Sequence, residues 1–333
     1  MPALAQFWAR RSVSAVLLLP LAGLFRLVAG LRRRLYLAGV LPRVVVGVPV
    51  VIVGNLTAGG SGKTPLTIWL VNHLKQRGLR PGVVSRGYGG SARACVEVDA
   101  ARAAAEVGDE PLLIHLKTSA PVVVGRDRVA AARTLLARHP GIDVIVADDG
   151  LQHYRLQRDL EIAVIDAESG LGNGWPLPAG PLREPASRLQ SVGAVVQVVR
   201  GTRPPRAYAG HTGWRADTRP GRAWRLRNPE ERRALAELPA DDWLAITGIG
   251  RPQGFFDMLA RAGLRCETRA FPDHHAFQPG ELPADRPILM TEKDAVKCVP
   301  FAGAHWWAVE LELVPEVEFV AWLESKILNH PRN

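Results

Sequence analysis

Short apolar runs rich in β-branched residues recur along the chain, with helical segments between them. The first run, residues 44–53, precedes a glycine-rich stretch and a helix predicted over residues 64–77, which Gly78 ends. Further strands are predicted at residues 81–85, 120–125, 143–147, 160–165 and 192–199. Such alternation favours a parallel sheet covered by helices, so we predict an α/β fold.

The pattern changes after residue 200. Residues 201–227 are rich in arginine, proline, glycine and threonine, which is typical of a linker or an exposed ribbon. Beyond them, a strand at 242–247, a helix at about 253–262 and a strand at 287–290 begin a second, smaller α/β unit.

The amino-terminal segment combines apolar residues with arginine. Residues 13–25 are apolar apart from Ser14, and six arginines flank them: Arg10, Arg11, Arg26, Arg32, Arg33 and Arg34. The run is shorter than the roughly 20 residues of a spanning helix, so we predict a helix lying at an anionic membrane surface. The alternative is an ordinary helix buried against the protein.

Charge and cysteine content narrow the functional classes. Residues 1–96 contain 11 Arg, 2 Lys and no carboxylate, whereas the remainder is nearly balanced. Because this charge accompanies apolar residues, it favours a membrane over nucleic acid as the partner. The three cysteines are far apart in the sequence, which excludes a disulfide framework and a cysteine-based zinc site and fits a reducing compartment.

The strongest chemical signal lies between the first strand and its helix, at residues 54–65, GNLTAGGSGKTP. In a phosphate-binding loop, backbone N–H groups form a cradle, a lysine reaches the β- and γ-phosphates, and a hydroxyl binds Mg²⁺. Lys63 and Thr64 occupy those two places. The predicted nucleotide-binding residues are Thr57, Ala58, Gly59, Gly60, Ser61, Gly62, Lys63 and Thr64. Thr57 replaces the usual first glycine, and the alternative interpretation is a glycine-rich turn without a ligand.

A metal-binding acid is expected at the end of a neighbouring hydrophobic strand. Residues 143–149, DVIVADD, end in Asp148 and Asp149. Either carboxylate could join Thr64 as a Mg²⁺ ligand, and the sequence leaves the choice open. The alternative is a polar turn after a buried strand.

Eight motifs in one order resemble the lipid A 4′-kinase family, the tetraacyldisaccharide 4′-kinases of lipopolysaccharide assembly. They are VGNLTAGGSGKTP at 53–65, SRGYGG at 85–90, GDEP at 108–111, DDGLQH at 148–153, GPLREP at 180–185, GIGRPQGFF at 248–256, FPDHHAF at 271–277 and TEKDAVK at 291–297. Two departures from the family pattern are Arg251 in the sixth motif and the segment QVVRG at 197–201, where an asparagine is expected before the glycine.

The resemblance implies an ATP- and Mg²⁺-dependent kinase. Its acceptor would be the 4′-hydroxyl of an acylated disaccharide 1-phosphate, giving the 1,4′-bisphosphorylated lipid A precursor at the cytoplasmic face of the bacterial inner membrane. It further implies that Asp109 accepts the proton of the hydroxyl, assisted by a histidine, for which we select His274 over His275. Lys63 completes the predicted catalytic set. Contacts to the substrate are expected from Asn55, Arg86, Glu110, Gln152 and Arg183.

The resemblance also implies two α/β/α domains joined by a two-stranded ribbon. We accordingly expect a membrane-interface helix at 1–35, a P-loop NTPase-like kinase domain at 36–200, a linker at 201–240 and a smaller domain at 241–333.

Two rival classes share a P-loop. A GTPase would be expected to carry N-K-x-D, whereas residues 291–294 are TEKD, and a partitioning ATPase usually has K-G-G-x-G-K-T, whereas position 58 is Ala58. A membrane-associated P-loop ATPase or GTPase switch without kinase activity is the alternative function. The oligomeric state stays open.

Overall fold

A computed structural model describes residues 7–200, 204, 206–208, 211–239 and 242–327. Within these residues the α-helices are α1 (Val13–Leu17), α2 (Leu19–Leu37), α3 (Lys63–Gln76), α4 (Ala104–Val107), α5 (Asp109–Thr118), α6 (Arg128–Arg138), α7 (Pro252–Arg261), α8 (Glu292–Cys298) and α9 (Val317–Ile327). Short 3₁₀ helices lie at Ala186–Ser191, Leu235–Glu237 and Val299–Phe301.

The strands form one large sheet and one small hairpin. In chain order they are β1 (Val50–Gly54), β2 (Pro81–Ser85), β3 (Val96–Val98), β4 (Val122–Val124), β5 (Val144–Asp148), β6 (Leu160–Asp166), β7 (Ala194–Val199), β8 (Ala207–Tyr208), β9 (His211–Thr212), β10 (Trp214–Arg225), β11 (Asn228–Arg233), β12 (Trp243–Thr247), β13 (Cys266–Ala270), β14 (Ile288–Thr291) and β15 (Trp306–Pro315). Only β8 and β9 lie outside the large sheet, among the described residues.

Two parallel blocks make up this sheet, in the order β13-β12-β14-β15-β10-β7-β6-β1-β5-β2-β4-β3, with β11 paired to β10. Strands β7, β6, β1, β5, β2 and β4 are mutually parallel, as are β13, β12, β14 and β15. The blocks join where β10 runs antiparallel to β15. Within the segment predicted as the linker, 201–240, β10 also pairs antiparallel with β11, so a two-stranded ribbon lies there, and the domain boundaries stay a prediction.

The predicted start of the first strand is wrong, because β1 begins at Val50 and not at residue 44. Val44 makes an isolated bridge to Leu156, and Val45 is exposed. Gly47 has a φ of 87°, which turns the chain, and Pro49 has no N–H to donate to a ladder. The run of apolar β-branched residues therefore begins several positions before the segment in which the backbone forms a strand.

The amino-terminal helices carry an apolar surface that is not packed on the described protein. Five residues at helical spacing are 54–76% exposed: Leu17, Leu21, Leu24, Val28 and Leu31. We call them the apolar stripe. Among residues 7–200, 204, 206–208, 211–239 and 242–327, no helix is long and apolar enough to cross a membrane.

Helix α9 returns to the first parallel block. Its Phe319 is fully buried, and its ring lies 5.9 Å from that of Trp69 on α3 and 5.5 Å from that of Trp214 on β10. Glu324 pairs with His73 at 2.9 Å. Residues 317–327 thus complete the core around α3, the helix that follows the glycine-rich loop. From the sequence they are expected in the second domain, at 241–333.

We predict that Phe319→Ala lowers the free energy of unfolding by about 3–5 kcal/mol, because a buried aromatic ring is replaced by a cavity. Urea denaturation followed by tryptophan fluorescence measures this change. Val317→Ala on the same helix is the control, since Val317 is 77% exposed and its loss should cost less than about 0.5 kcal/mol. Equal effects of the two substitutions would contradict the packing described for α9.

Candidate active site

The glycine-rich segment forms a loop between β1 and α3, as predicted. Gly59 and Gly62 adopt φ values of 104° and 89°, which favour glycine. A Cβ at Gly62 would lie 2.8 Å from Cγ2 of Val198, so this position also lacks space for a side chain. Thr57, which replaces the usual glycine, makes an isolated bridge to Leu182. The departure at position 57 therefore leaves the loop geometry intact.

Lys63 begins α3 beneath this loop. Its Nζ donates to Oδ1 of Asn55 at 3.2 Å and lies 3.7 Å from Oδ1 of Asp149. Asn55 is fully buried and Lys63 nearly so. The ammonium group is consequently held in place at the wall of the cavity described below.

Asp148 and Asp149, at the end of β5, have different surroundings. Asp148 is 1% exposed and accepts hydrogen bonds from Thr67 Oγ1 at 3.2 Å and Ser85 Oγ at 3.0 Å. Burial and the nearby charges of Glu110 and Asp149 raise the pKa of Asp148 to about 6. This carboxylate therefore links three elements inside the protein.

Asp149 instead faces the cavity, with a φ of 48°. Its carboxylate accepts two hydrogen bonds from Nη1 of Arg183, at 3.0 and 3.1 Å. Burial alone would raise the pKa of Asp149, but the charges of Lys63 and Arg183 outweigh it and hold that pKa well below its usual range.

Asp109 and His274 meet across the two parallel blocks. Nδ1 of His274 lies 3.0 and 3.1 Å from the two carboxylate oxygens of Asp109. His275, by contrast, lies 2.7 Å from Glu281. His274 has a φ of 59° and lines the cavity, whereas Asp109 lies behind it and is 5% exposed.

Lys293 and Lys297, one turn apart on α8, surround this pair. Each ammonium lies 4.0 Å from Oδ2 of Asp109, and Lys293 also donates to Glu110 at 2.9 Å. Burial raises the pKa of Asp109, but the His274 hydrogen bond and the two lysine charges together bring it below the usual value. The motif TEKDAVK was noted in the sequence without a role for its lysines, although their spacing of four places them on one helical face.

A cavity of about 860 Å³ joins these groups. The phosphate-loop residues Ala58 to Thr64 line it, together with Arg86, Glu110, Asp149, Arg183, His274 and Lys293. Of the predicted substrate contacts, Asn55 and Gln152 do not line it. Gln152 donates to the Asn55 carbonyl and to Glu184, both at 3.2 Å, so it supports the loop from behind.

The oxygen groups at the phosphate loop suit a magnesium ion. The Thr64 hydroxyl and the Asp149 carboxylate line the same cavity, and both are hard oxygen ligands of the kind that Mg²⁺ prefers. The buried Oγ of Ser61 has no hydrogen-bond partner among the described residues, which leaves a further polar atom in the loop available. The residues at this position therefore fit a nucleotide with its metal.

Comparison with known proteins agrees with this geometry. The chain is 63% identical to the tetraacyldisaccharide 4′-kinase of Thiobacillus denitrificans over 327 residues, covering 98% of this chain and 99% of that protein. It is 50% identical to the enzyme of the same name from Azoarcus sp., covering 92% and 90%.

Crystallographic comparison supports the fold. The structure of LpxK from Aquifex aeolicus in complex with ATP matches this chain with a TM-score of 0.83 at 26% identity, covering 95% of this chain and all of that one. The predicted fold class and kinase function are confirmed. A family profile described as tetraacyldisaccharide-1-P 4′-kinase matches residues 14–328, and the chain belongs to this family.

Proposed function

We propose that this kinase transfers the γ-phosphoryl group of ATP to the 4′-hydroxyl of tetraacyldisaccharide 1-phosphate, with Asp109 and His274 receiving the proton. The observation that carries the proposal is the contact between Asp109 and His274 at 3.0 Å, beside a cavity that the phosphate loop also lines. The bond between the γ-phosphorus and the bridging oxygen of ATP breaks, a bond to the sugar oxygen forms, and ADP leaves.

The Asp109 carboxylate accepts the proton released by the hydroxyl. Its depressed pKa, caused by His274 and the α8 lysines, keeps it ionised at neutral pH and therefore able to accept. Nδ1 of His274 orients the carboxylate and shares the change in charge. Asp109 lies behind His274, so the cleft has to tighten around the acceptor, as catalytic hydrogen bonds often do when substrate binds.

Lys63 and the amides of the phosphate loop stabilise negative charge on the transferring group. Phosphoryl transfer depends mainly on positioning and charge neutralisation. Lys63 is already fixed between Asn55 and Asp149. When bound, Mg²⁺ neutralises phosphate oxygens, and Thr64 and Asp149 are the residues that would hold it.

The apolar stripe explains how an acylated substrate reaches this cavity. Trp8, just before α1, lines the cavity and donates from Nε1 to the Pro178 carbonyl. Acyl chains can remain in the bilayer while the stripe lies at its surface. Arg32 donates to the Gln152 carbonyl and Arg33 to Ser191, so these two arginines dock the helix on the protein. We place the protein peripherally at the cytoplasmic face of the inner membrane.

The proton-accepting pair is tested with Asp109→Asn, His274→Gln and the double variant. We expect Asp109→Asn to lower kcat by about 10²–10⁴-fold, with a smaller change in KM for ATP, because the carboxylate acts on the acceptor. His274→Gln should have a smaller effect. The double variant should be no worse than Asp109→Asn alone, since the two residues act as a unit.

His275→Gln is the matched control, because His275 contacts Glu281 and not Asp109. Its kcat should stay within about twofold of the parent. Losses in the double variant that multiply, or a His275 effect equal to that of His274, would overturn the assignment of the pair. Phosphorylation of the lipid is followed with radiolabelled ATP.

Membrane contact is tested by Leu24→Ser combined with Leu31→Ser. Each exposed leucine contributes on the order of 1 kcal/mol when partly inserted, so binding to anionic phospholipid vesicles should weaken by about tenfold or more. Val317→Ser removes an apolar residue outside the stripe that is more exposed than either leucine, and it should leave sedimentation with vesicles unchanged. If the double variant sediments like the parent, the stripe does not contact lipid.

A further inference from the structure

The two positions at which the sequence departs from its family pattern meet at one carboxylate. Arg200, at the end of the first block beyond β7, and Arg251, at the start of α7, each donate to Asp166, one to each oxygen. Arg251 also donates to the Ser169 hydroxyl. The departures are separated by 51 positions in the sequence numbering, yet they form a single ionic cluster.

Asp166 is a fixed anion at the end of β6. It is 2% exposed, and its Oδ1 accepts hydrogen bonds from the backbone N–H groups of Glu168 and Ser169 at 3.2 and 3.0 Å. A buried carboxylate left without a cation is strongly unfavourable. The position of Asp166 therefore dictates where Arg200 and Arg251 lie.

Arg251 connects the two parallel blocks on one side of the cavity. On the opposite side, α5 and α8 are connected by Lys293 to Glu110 and by Lys117 to Glu292, both at 2.9 Å. Beside the β10–β15 ladder, side chains thus connect the blocks on both sides of the cavity. Helix α7 also packs on Arg200, because a Cβ at Gly254 would lie 3.2 Å from its Cδ.

The loop that contains Arg251 also bonds to the segment that contains His274. The Gly248 carbonyl accepts from the backbone N–H of His274 at 3.0 Å, and the Gly248 N–H donates to Asp294 at 3.0 Å. A Cβ at Gly250 would lie 3.8 Å from the amide nitrogen of Gly60 in the phosphate loop. Residues 248–251 therefore bond to His274 and lie beside the nucleotide loop.

The charge of this cluster determines which position of Arg251 a bound polyanion favours. One carboxylate faces two guanidinium groups, and Arg200 and Arg251 both line the cavity. The two guanidinium groups lie beside a loop that fits phosphate groups. Binding of a polyanion at that loop therefore favours the attached position of Arg251 over a displaced one.

We propose that Arg251 is a positioning residue, which holds residues 248–251 against the phosphate loop through Asp166 and thereby sets the place of His274. This inference deepens the proposed function and rests on it for its kinetic readout. Arg200 is the second cation that keeps Asp166 paired. Without the Arg251 contact, the second block keeps the β10–β15 pairing and the ion pairs between α5 and α8, whereas residues 248–251 can move away from the phosphate loop.

The test compares Arg251→Gln and Arg251→Lys with the control Arg265→Gln. Arg265 is exposed between α7 and β13 and does not line the cavity. We expect Arg251→Gln to lower kcat for lipid phosphorylation by about ten- to a hundredfold and to raise KM for ATP, because misplacement of catalytic groups is costly. Arg251→Lys should recover part of the loss, and Arg265→Gln should match the parent.

A cycle with Asp166→Asn tests the partner directly. The double variant with Arg251→Gln should be no worse than the more impaired single variant. Small-angle scattering without nucleotide should give a larger radius of gyration for Arg251→Gln than for the parent and the control. The scattering arm does not depend on catalysis, so an inactive parent would contradict the proposed function while leaving this test in force.

Three results would overturn the inference. They are an Arg251→Gln enzyme within twofold of the control, no recovery by lysine, and losses that multiply in the double variant. If Asp166→Asn does not fold, the comparison of glutamine with lysine at position 251 and the scattering measurement decide the matter.

Discussion

The contact between Asp109 and His274 joins residues that lie 165 positions apart, and most of the active site depends on it. A carboxylate that is 5% exposed requires cationic or hydrogen-bonding partners. Those partners, His274, Lys293 and Lys297, all come from the second parallel block. The Asp109 carboxylate therefore gains its hydrogen-bonding and cationic partners only when the two blocks dock. This pair of side chains exists only in the assembled arrangement, which couples the geometry of the site to the stability of the interface.

Fixed ion pairs organise the rest of the cavity. Lys63 is held by Asn55 and Asp149, while Arg183 is held by Asp149 from the other side. Lys63 and Arg183 thus each have a carboxylate or amide partner that determines their position. Preorganised charge of this kind stabilises a developing negative charge without the cost of reorienting dipoles during the reaction. Asp149 thus fixes the positions of two cations beside the phosphate loop.

Local features of the site could be predicted from the sequence pattern. Long-range pairings could not, apart from that of Asp109 with His274, which the family resemblance implied. The phosphate loop was predictable because glycine positions and Lys63 act within one turn of chain. The start of β1 was not predictable. Gly47 and Pro49 keep residues 44–49 out of the strand, although the apolar run of the sequence includes these residues. The partner strand of β10 is β15, and the partner of Arg251 is Asp166. Both pairings depend on how distant segments cross, which no local pattern contains.

The route of the chain through the sheet also has a consequence for synthesis on the ribosome. Phe319 fills the space beside Trp69, yet about 250 residues are translated between these two positions. During that interval one side of α3 remains uncovered. The nascent chain therefore exposes an apolar groove beside a nearly complete first block. A nascent chain of this kind is a natural client for chaperones that bind exposed apolar segments. Translation must proceed through α9 before the first block can bury its own core.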